Sequence, residues 1–211
     1  LKNIQSWSGE EYKIAHADLN KIFADAGDDK AKWKKIEDAW YTEAKPGTAG
    51  MRGVMGWGTN RINVFTVGVY ELAHAQALGS EEYNALIQTI DPEFNPATER
   101  KAIIIGGDSR FGSYVPEGID LDSPHYGFAT EQPGWLIKLQ AVVNVLQGTR
   151  AYVFRMPTST PEVAFVTHTL DLLPGDVSAG GGMNTASHNP QDNNGNKPYK
   201  PDGSQATGPI G

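Results

Sequence analysis

Residues 134–154 read GWLIKLQAVVNVLQGTRAYVF, and the order of elements in this stretch decides the fold. Residues 134–147 have the pattern of a helix, Gly148 stands where a C-terminal stop belongs, and residues 151–154 read as the strand that follows. Upstream, residues 102–105 are a short aliphatic run with three consecutive isoleucines, the mark of a buried strand. Downstream, Thr160 and Pro161 suit an N-cap and first helical position for a helix through Leu172. Residues 177–183 form a weaker strand candidate, because residues 179–182 are four small residues in a row. Strands alternating with helices predict a parallel sheet covered on both faces. The expected class is α/β: a three-layer α/β/α sandwich with a mostly parallel sheet.

The chain before this region has a different texture. Ile14, Ala15, Leu19, Ile22, Phe23 and Ala26 fall at three- and four-residue spacing, one stripe of an amphipathic helix ending at Gly27. Trp33, Ile36 and Trp40 form a second, shorter stripe, with both tryptophans expected in a core. Residues 45–60 (KPGTAGMRGVMGWGTN) are rich in glycine and predict a long loop or loop–strand–loop. A third helix is expected over residues 62–78, stopped by Gly79. The reading divides the chain into an N-terminal helical extension, residues 1–44, and an α/β/α domain, residues 45–211. Residues 112–133 are too long for an ordinary βα connection and read as a surface insertion. Residues 184–211 are mostly turn formers, with no further strand or helix, and end in ATGPIG, as a piece of a longer protein would.

Composition narrows the partners. Hydrophobic residues make up 39% and charged ones 20% of the 211 residues, enough of each for a core and a solvated surface. A net charge of −7 argues against nucleic-acid binding, which needs clustered Lys and Arg. The absence of cysteine removes disulfides and thiolate metal sites. Residues 1–13 hold no apolar signal-peptide core, and no apolar run is long enough to span a bilayer, so a cytoplasmic setting is expected.

The densest chemical signal is NTASHNPQDNNGNK, residues 184–197. A tight loop there can aim the Ser187 hydroxyl, the His188 imidazole and the Lys197 ammonium at one point. A serine that carries a phosphoryl group needs exposure, a proton acceptor and cationic help, and these residue types supply all three. From chemistry alone, a polar surface hairpin around Asn194 and Gly195 explains the stretch better.

TASHNP, followed by a polar turn, a glycine and then a lysine, resembles the active-site serine loop of the α-D-phosphohexomutases. Three more stretches agree in order: KPGTAGMRGVMGWGTNRINVFTV (45–67), GGDSRFGS (106–113) and MPTSTPEVAFVTHTL (156–170). The helices before residue 45 resemble the N-terminal extension of the longer bacterial phosphoglucomutases. The resemblance implies a phosphosugar mutase domain that interconverts hexose 1-phosphate and hexose 6-phosphate through a bisphosphorylated sugar, with phosphoglucomutase as the first expectation. Phosphomannomutase or phosphopentomutase activity is the alternative, as is a non-catalytic module reusing the domain. By the same resemblance Ser187 holds the phosphate, which also supplies a Mg²⁺ ligand, and Lys197 is general base and acid. His188 donates a hydrogen bond, Arg52 steadies the serine loop or the transferring phosphoryl, and Thr48, Arg52 and Arg61 contact substrate. Asp108 and Arg110 are expected chiefly to support the fold. Mg²⁺ and glucose 1,6-bisphosphate, as activator, are the implied cofactors, sugar phosphates the implied partners. The family's Asp-Gly-Asp-x-Asp-Arg metal loop and Gly-Glu-x-Ser-Gly sugar motif do not occur in these 211 residues, so the fragment alone is expected to be inactive.

Several features depart from the family pattern or suggest rivals. Asn184 falls in a predicted buried strand, where its amide must find partners. Pro198 and Pro201 are expected to interrupt the strand that normally follows the lysine. Gly106, Gly107 and Gly112 do not make G-x-G-x-x-G, which speaks against a dinucleotide fold. Ser187 lacks the G-x-S-x-G context of a hydrolase, and Gly195 is out of register for a calcium loop. His16, His74 and His168 have no i+4 partner for a metal; His125 lies in the insertion.

Overall fold

The computed structural model describes residues 2–47, 50–114, 133–170 and 172–207. Its centre is one five-stranded sheet of β1 (Met51–Val54), β2 (Arg100–Gly107), β3 (Arg150–Val153), β4 (Asp176–Asn184) and β5 (Asn193–Tyr199), in spatial order β1-β5-β4-β2-β3. The helices are α1 (Lys2–Gln5), α2 (Lys13–Ala26), α3 (Lys30–Trp40), α4 (Val64–Leu78), α5 (Glu81–Ile90), α6 (Trp135–Leu146) and α7 (Thr160–Thr169). No described helix is long and apolar enough to cross a membrane.

β2 shows why the sandwich has three layers. Side chains alternate faces along a strand. A Cβ on Gly106 would meet Thr158 and Val163, the latter in α7, whereas one on Gly107 would meet Ile137 of α6. Helices therefore cover both faces, and Ile103, Ile104 and Ile105 are all buried. Ile103 and Ile105 join Leu78, Tyr83, Ile87 and Ile137 in the main core, which places α5 on the α6 side. Each such aliphatic contributes roughly 1.5–3 kcal/mol on burial.

The sheet is mixed rather than mostly parallel. β2 pairs in parallel with β3 and β4, but β5 is antiparallel to both β4 and β1. The reason is the eight-residue connection from β4 to β5, too short for the crossover a parallel neighbour needs. β5 itself is a strand where only turns were expected. Asn194 and Asn196 fill its buried side, and Pro198 is tolerated by geometry. The Pro198 carbonyl accepts from the Ala206 amide, on the edge turned away from β4. In an antiparallel strand a residue's N and O face the same edge, so the missing N–H costs the β4–β5 ladder nothing. Asn184 stays in β4 because its Nδ2 donates to the Gly106 carbonyl and to Gln140 Oε1.

Smaller differences have local causes. α7 starts one residue early because Ser159, not Thr160, is the N-cap, in a capping box with Glu162, and it ends at Thr169. α5 was not expected, although Ser80 caps it and Tyr83, Ile87 and Ile90 fall at helical spacing. In α2, Ile14 and Ile22 are exposed while Ala15, Leu19 and Ala26 are buried. Trp40 is in the N-terminal aromatic core with Trp7, Trp57 and Phe65, but Trp33 is 40% exposed and stacks on Phe23. Ser113 and Tyr114 are fully buried, so the expected surface insertion does not begin at 112; residues 115–132 of it lie outside the described residues.

Candidate active site

The site forms at the C-terminal end of β4, where the chain turns back into β5. Ser187 adopts φ 58°, a left-handed conformation that costs a side-chain-bearing residue roughly 1–2 kcal/mol. Hydrogen bonds hold it there. The Ser187 amide donates to Thr185 Oγ1 at 2.9 Å, and Thr185 Oγ1 donates to Asp108 Oδ2 at 2.6 Å. Arg110 Nε also donates to Asp108 Oδ2, at 2.9 Å, while its Nη2 donates to the Ser187 carbonyl at 2.7 Å. The Arg110 Nη1 reaches the carbonyls of Asn193, Pro190 and Asn189 at 2.8, 3.2 and 3.4 Å.

β5 then brings Lys197 to the serine. Lys197 pairs with Met183 across the β4–β5 ladder, and its Nζ donates to Ser187 Oγ at 2.6 Å. Burial, and next the Arg52 guanidinium, hold the Lys197 ammonium below the ordinary lysine range; Asp108 opposes them. Arg52 stands opposite Gly195 on β1 and is exposed, without a hydrogen bond among the described residues. Its strand lies close to β5 because residue 50 is glycine: Gly50 has φ +98°, and a Cβ would fall 2.0 Å from the Asn196 carbonyl oxygen. Arg52, Lys197, Lys45, Gly50 and Gln205 line a cavity of about 410 Å³. A larger hollow of about 580 Å³, lined by Met55, Trp57, Phe111 and Trp135 among others, is predominantly apolar. Size favours the second and chemistry the first, since the 410 Å³ cavity holds the three cations and touches the lysine bonded to Ser187.

The structure thus brings Ser187, Lys197 and Arg52 together. His188 is adjacent in the loop but exposed, with no hydrogen bond among the described residues. Arg61 is elsewhere: its Nη2 binds Asp38 Oδ2 at 2.6 Å, tying the loop to α3. Thr48 lies outside the described residues. Lys45 and Thr185 were not singled out from sequence, although Lys45 opens the first quoted family stretch and Thr185 belongs to TASHNP. No three His, Asp or Glu side chains gather to hold a metal among the described residues, so these residues do not by themselves fit a Mg²⁺ site.

A serine hydroxyl bonded to a partly buried amine, beside a cationic cavity, has the chemistry to handle a phosphoryl group. Residues 136–210 match the family model for the phosphoglucomutase/phosphomannomutase α/β/α domain I. A Staphylococcus aureus phosphoglucomutase is 31% identical over 170 residues, 80% of this chain but 23% of that protein. Human phosphopentomutase is 29% identical over 163 residues, covering 77% of this chain and 21% of its own. A Thermus thermophilus structure described as a phosphomannomutase shares the fold with a TM-score of 0.50 at 20% identity, over 78% of this chain and 27% of that one. The class defined is a phosphosugar-mutase α/β/α domain. The chain belongs to the phosphoglucomutase/phosphomannomutase (α-D-phosphohexomutase) family, and it spans under a quarter of the length of the two curated relatives quoted.

Proposed function

We propose that residues 45–211 are the phosphoserine-bearing domain of a phosphosugar mutase, with residues 1–44 as a helical extension, acting in the cytoplasm on hexose phosphates, glucose phosphate first. The observation that carries this is the 2.6 Å contact between Lys197 Nζ and Ser187 Oγ beside the Lys45–Arg52–Lys197 cavity. In the proposed cycle, phosphate on Ser187 passes to a hydroxyl of a hexose monophosphate. The bond from phosphorus to Ser187 Oγ breaks as the bond to the sugar oxygen forms, the hydroxyl proton goes to Lys197 Nζ, and the ammonium so formed donates to the departing Ser187 Oγ, the contact already made in the resting site. The resulting bisphosphate, of which glucose 1,6-bisphosphate is the expected form, then returns its other phosphate to Ser187 as Lys197 gives the proton back.

Lys197 must be neutral to accept that proton, against an ordinary pKa of roughly 10.4. Partial burial and the Arg52 charge push in the required direction. Arg52 and Lys45 offer charge to the phosphate of the bound sugar, and His188 can donate to a phosphate on its neighbour. Mg²⁺ binding, expected from the family, would need ligands beyond the described residues. The test is to incubate the full-length protein with glucose 1,6-bisphosphate and map the phosphopeptides. Phosphate on Ser187 is the expected result; phosphate on another serine, with Ser187 empty, overturns the reading.

A further inference from the structure

We propose that Asp108 and Arg110 are positioning residues for the reacting serine: together they clamp the loop so that Ser187 Oγ meets Lys197 Nζ. This rests on the mutase reading for its consequence but not for its geometry. The clamp is rooted in the sheet. The Asp108 amide donates to the Asn184 carbonyl at the end of β4, 3.1 Å away. From there the Asp108 carboxylate takes three bonds, from the Arg110 amide, from Arg110 Nε and from the Thr185 hydroxyl. Thr185 passes the constraint to the Ser187 amide. Arg110 closes the other side by binding carbonyls at both ends of the loop, Ser187 and Asn193, and two between them.

The arrangement separates two arginines by task. Arg110 is only 13% exposed and spends its donors on protein oxygens. Arg52 faces the cavity without a protein hydrogen bond among the described residues. A planar guanidinium can grip carbonyls in several directions at once, which a single ammonium cannot do. Without the grip, nothing in the loop's own chemistry favours a serine at positive φ, since left-handed backbone is natural to Gly, Asn and Asp instead. Releasing the clamp should therefore let Ser187 relax and carry Oγ away from Lys197.

Arg110→Met, Arg110→Lys and Thr185→Val in the full-length protein test this, read by crystal structures and by steady-state kinetics with glucose 1-phosphate. In Arg110→Met, Ser187 is expected to leave positive φ and the Oγ–Nζ contact to open. A displacement of that order lowers kcat about 100-fold, while KM moves less than about threefold, because the substrate's own contacts remain. Arg110→Lys should recover part of kcat through its pairing with Asp108. Thr185→Val, which nearly keeps side-chain volume, should show the same split with a drop of about 10-fold, and it carries the test if Arg110→Met does not fold. A folded Arg110→Met or Thr185→Val protein that keeps Ser187 at positive φ and bonded to Lys197 overturns the clamp. A wild-type protein without mutase turnover whose variants still lose the loop geometry supports the clamp and overturns the mutase reading instead.

Discussion

β2 and β5 flank β4 on opposite sides, and they are built from opposite materials. β2 reads RKAIIIGG and is held by aliphatic packing on two faces. β5 reads NNGNKPY, and its buried side chains include two amides, Asn194 and Asn196, beside Pro198 and Tyr199. The first half of the sheet needs only burial, which is non-directional and tolerant of small shifts. The second adds aimed hydrogen bonds, from the Asn194 amide to the Phe111 carbonyl and Ser113 Oγ, in the strand that carries Lys197. Stability and chemistry are thus divided across β4.

Truncating the aliphatic half should give the largest loss of stability. Ile104 is buried against the α7 layer, and Ile104→Ala should cost about 2–5 kcal/mol in urea unfolding. Covalent phosphate on Ser187 of the folded fraction should be unchanged. If the folded variant also failed to take up phosphate, the two halves would not be separable.

Asn194→Ala strikes the other half. The Asn194 Nδ2 donates to the Phe111 carbonyl and to Ser113 Oγ, so the substitution leaves buried partners unsatisfied, at about 1–3 kcal/mol. Here phosphorylation of Ser187 should slow as well, because the strand that carries Lys197 loses its anchor. Urea unfolding and the phosphorylation rate would be measured together; a stability loss with no change in rate would contradict the division.

A control outside both halves sharpens them. Asn63 caps α4 by accepting from the amides of Phe65 and Thr66, and its Nδ2 donates to the Gly56 and Gly58 carbonyls, so Asn63→Ala should cost about 1–3 kcal/mol with no effect on Ser187. Thermal unfolding reads it.

The smallest effect expected is a pH dependence. A lysine whose pKa is lowered on folding is penalised in its charged form, so the penalty is full below the folded pKa and vanishes above the unfolded value of roughly 10.4. Lys197→Met should therefore be slightly more stable than wild type at neutral pH, and that margin should shrink as pH rises through the alkaline window. Urea titrations at neutral and alkaline pH compare the two; a margin that widened with pH would reverse the sign assigned to Lys197.

The same division explains what the sequence made legible. Aliphatic runs and helical stripes announce themselves because burial selects the residue type, so β2, α6, α7 and α4 were readable to within a few residues. β5 was not, since Asn-Asn-Gly-Asn is also turn vocabulary and its burial depends on partners from distant segments, Phe111 and Ser113. The parallel bias of the expected sheet failed for that reason. At the site, the motif gave Ser187 and Lys197 by resemblance. The part played by Arg110 was hidden, because carbonyl partners across a loop leave no trace in residue identity.

If Lys197 moves the proton for transfer at Ser187, the kinetics of Lys197→Met in the full-length protein must show it. The substitution keeps most of the aliphatic length and removes the amine. General acid–base catalysis is worth about 10²–10⁴-fold, so kcat should fall by that factor while KM for the sugar phosphate moves far less. A variant that keeps more than about half of the wild-type kcat would contradict the account and leave the 2.6 Å contact as a solvated lysine resting on a serine.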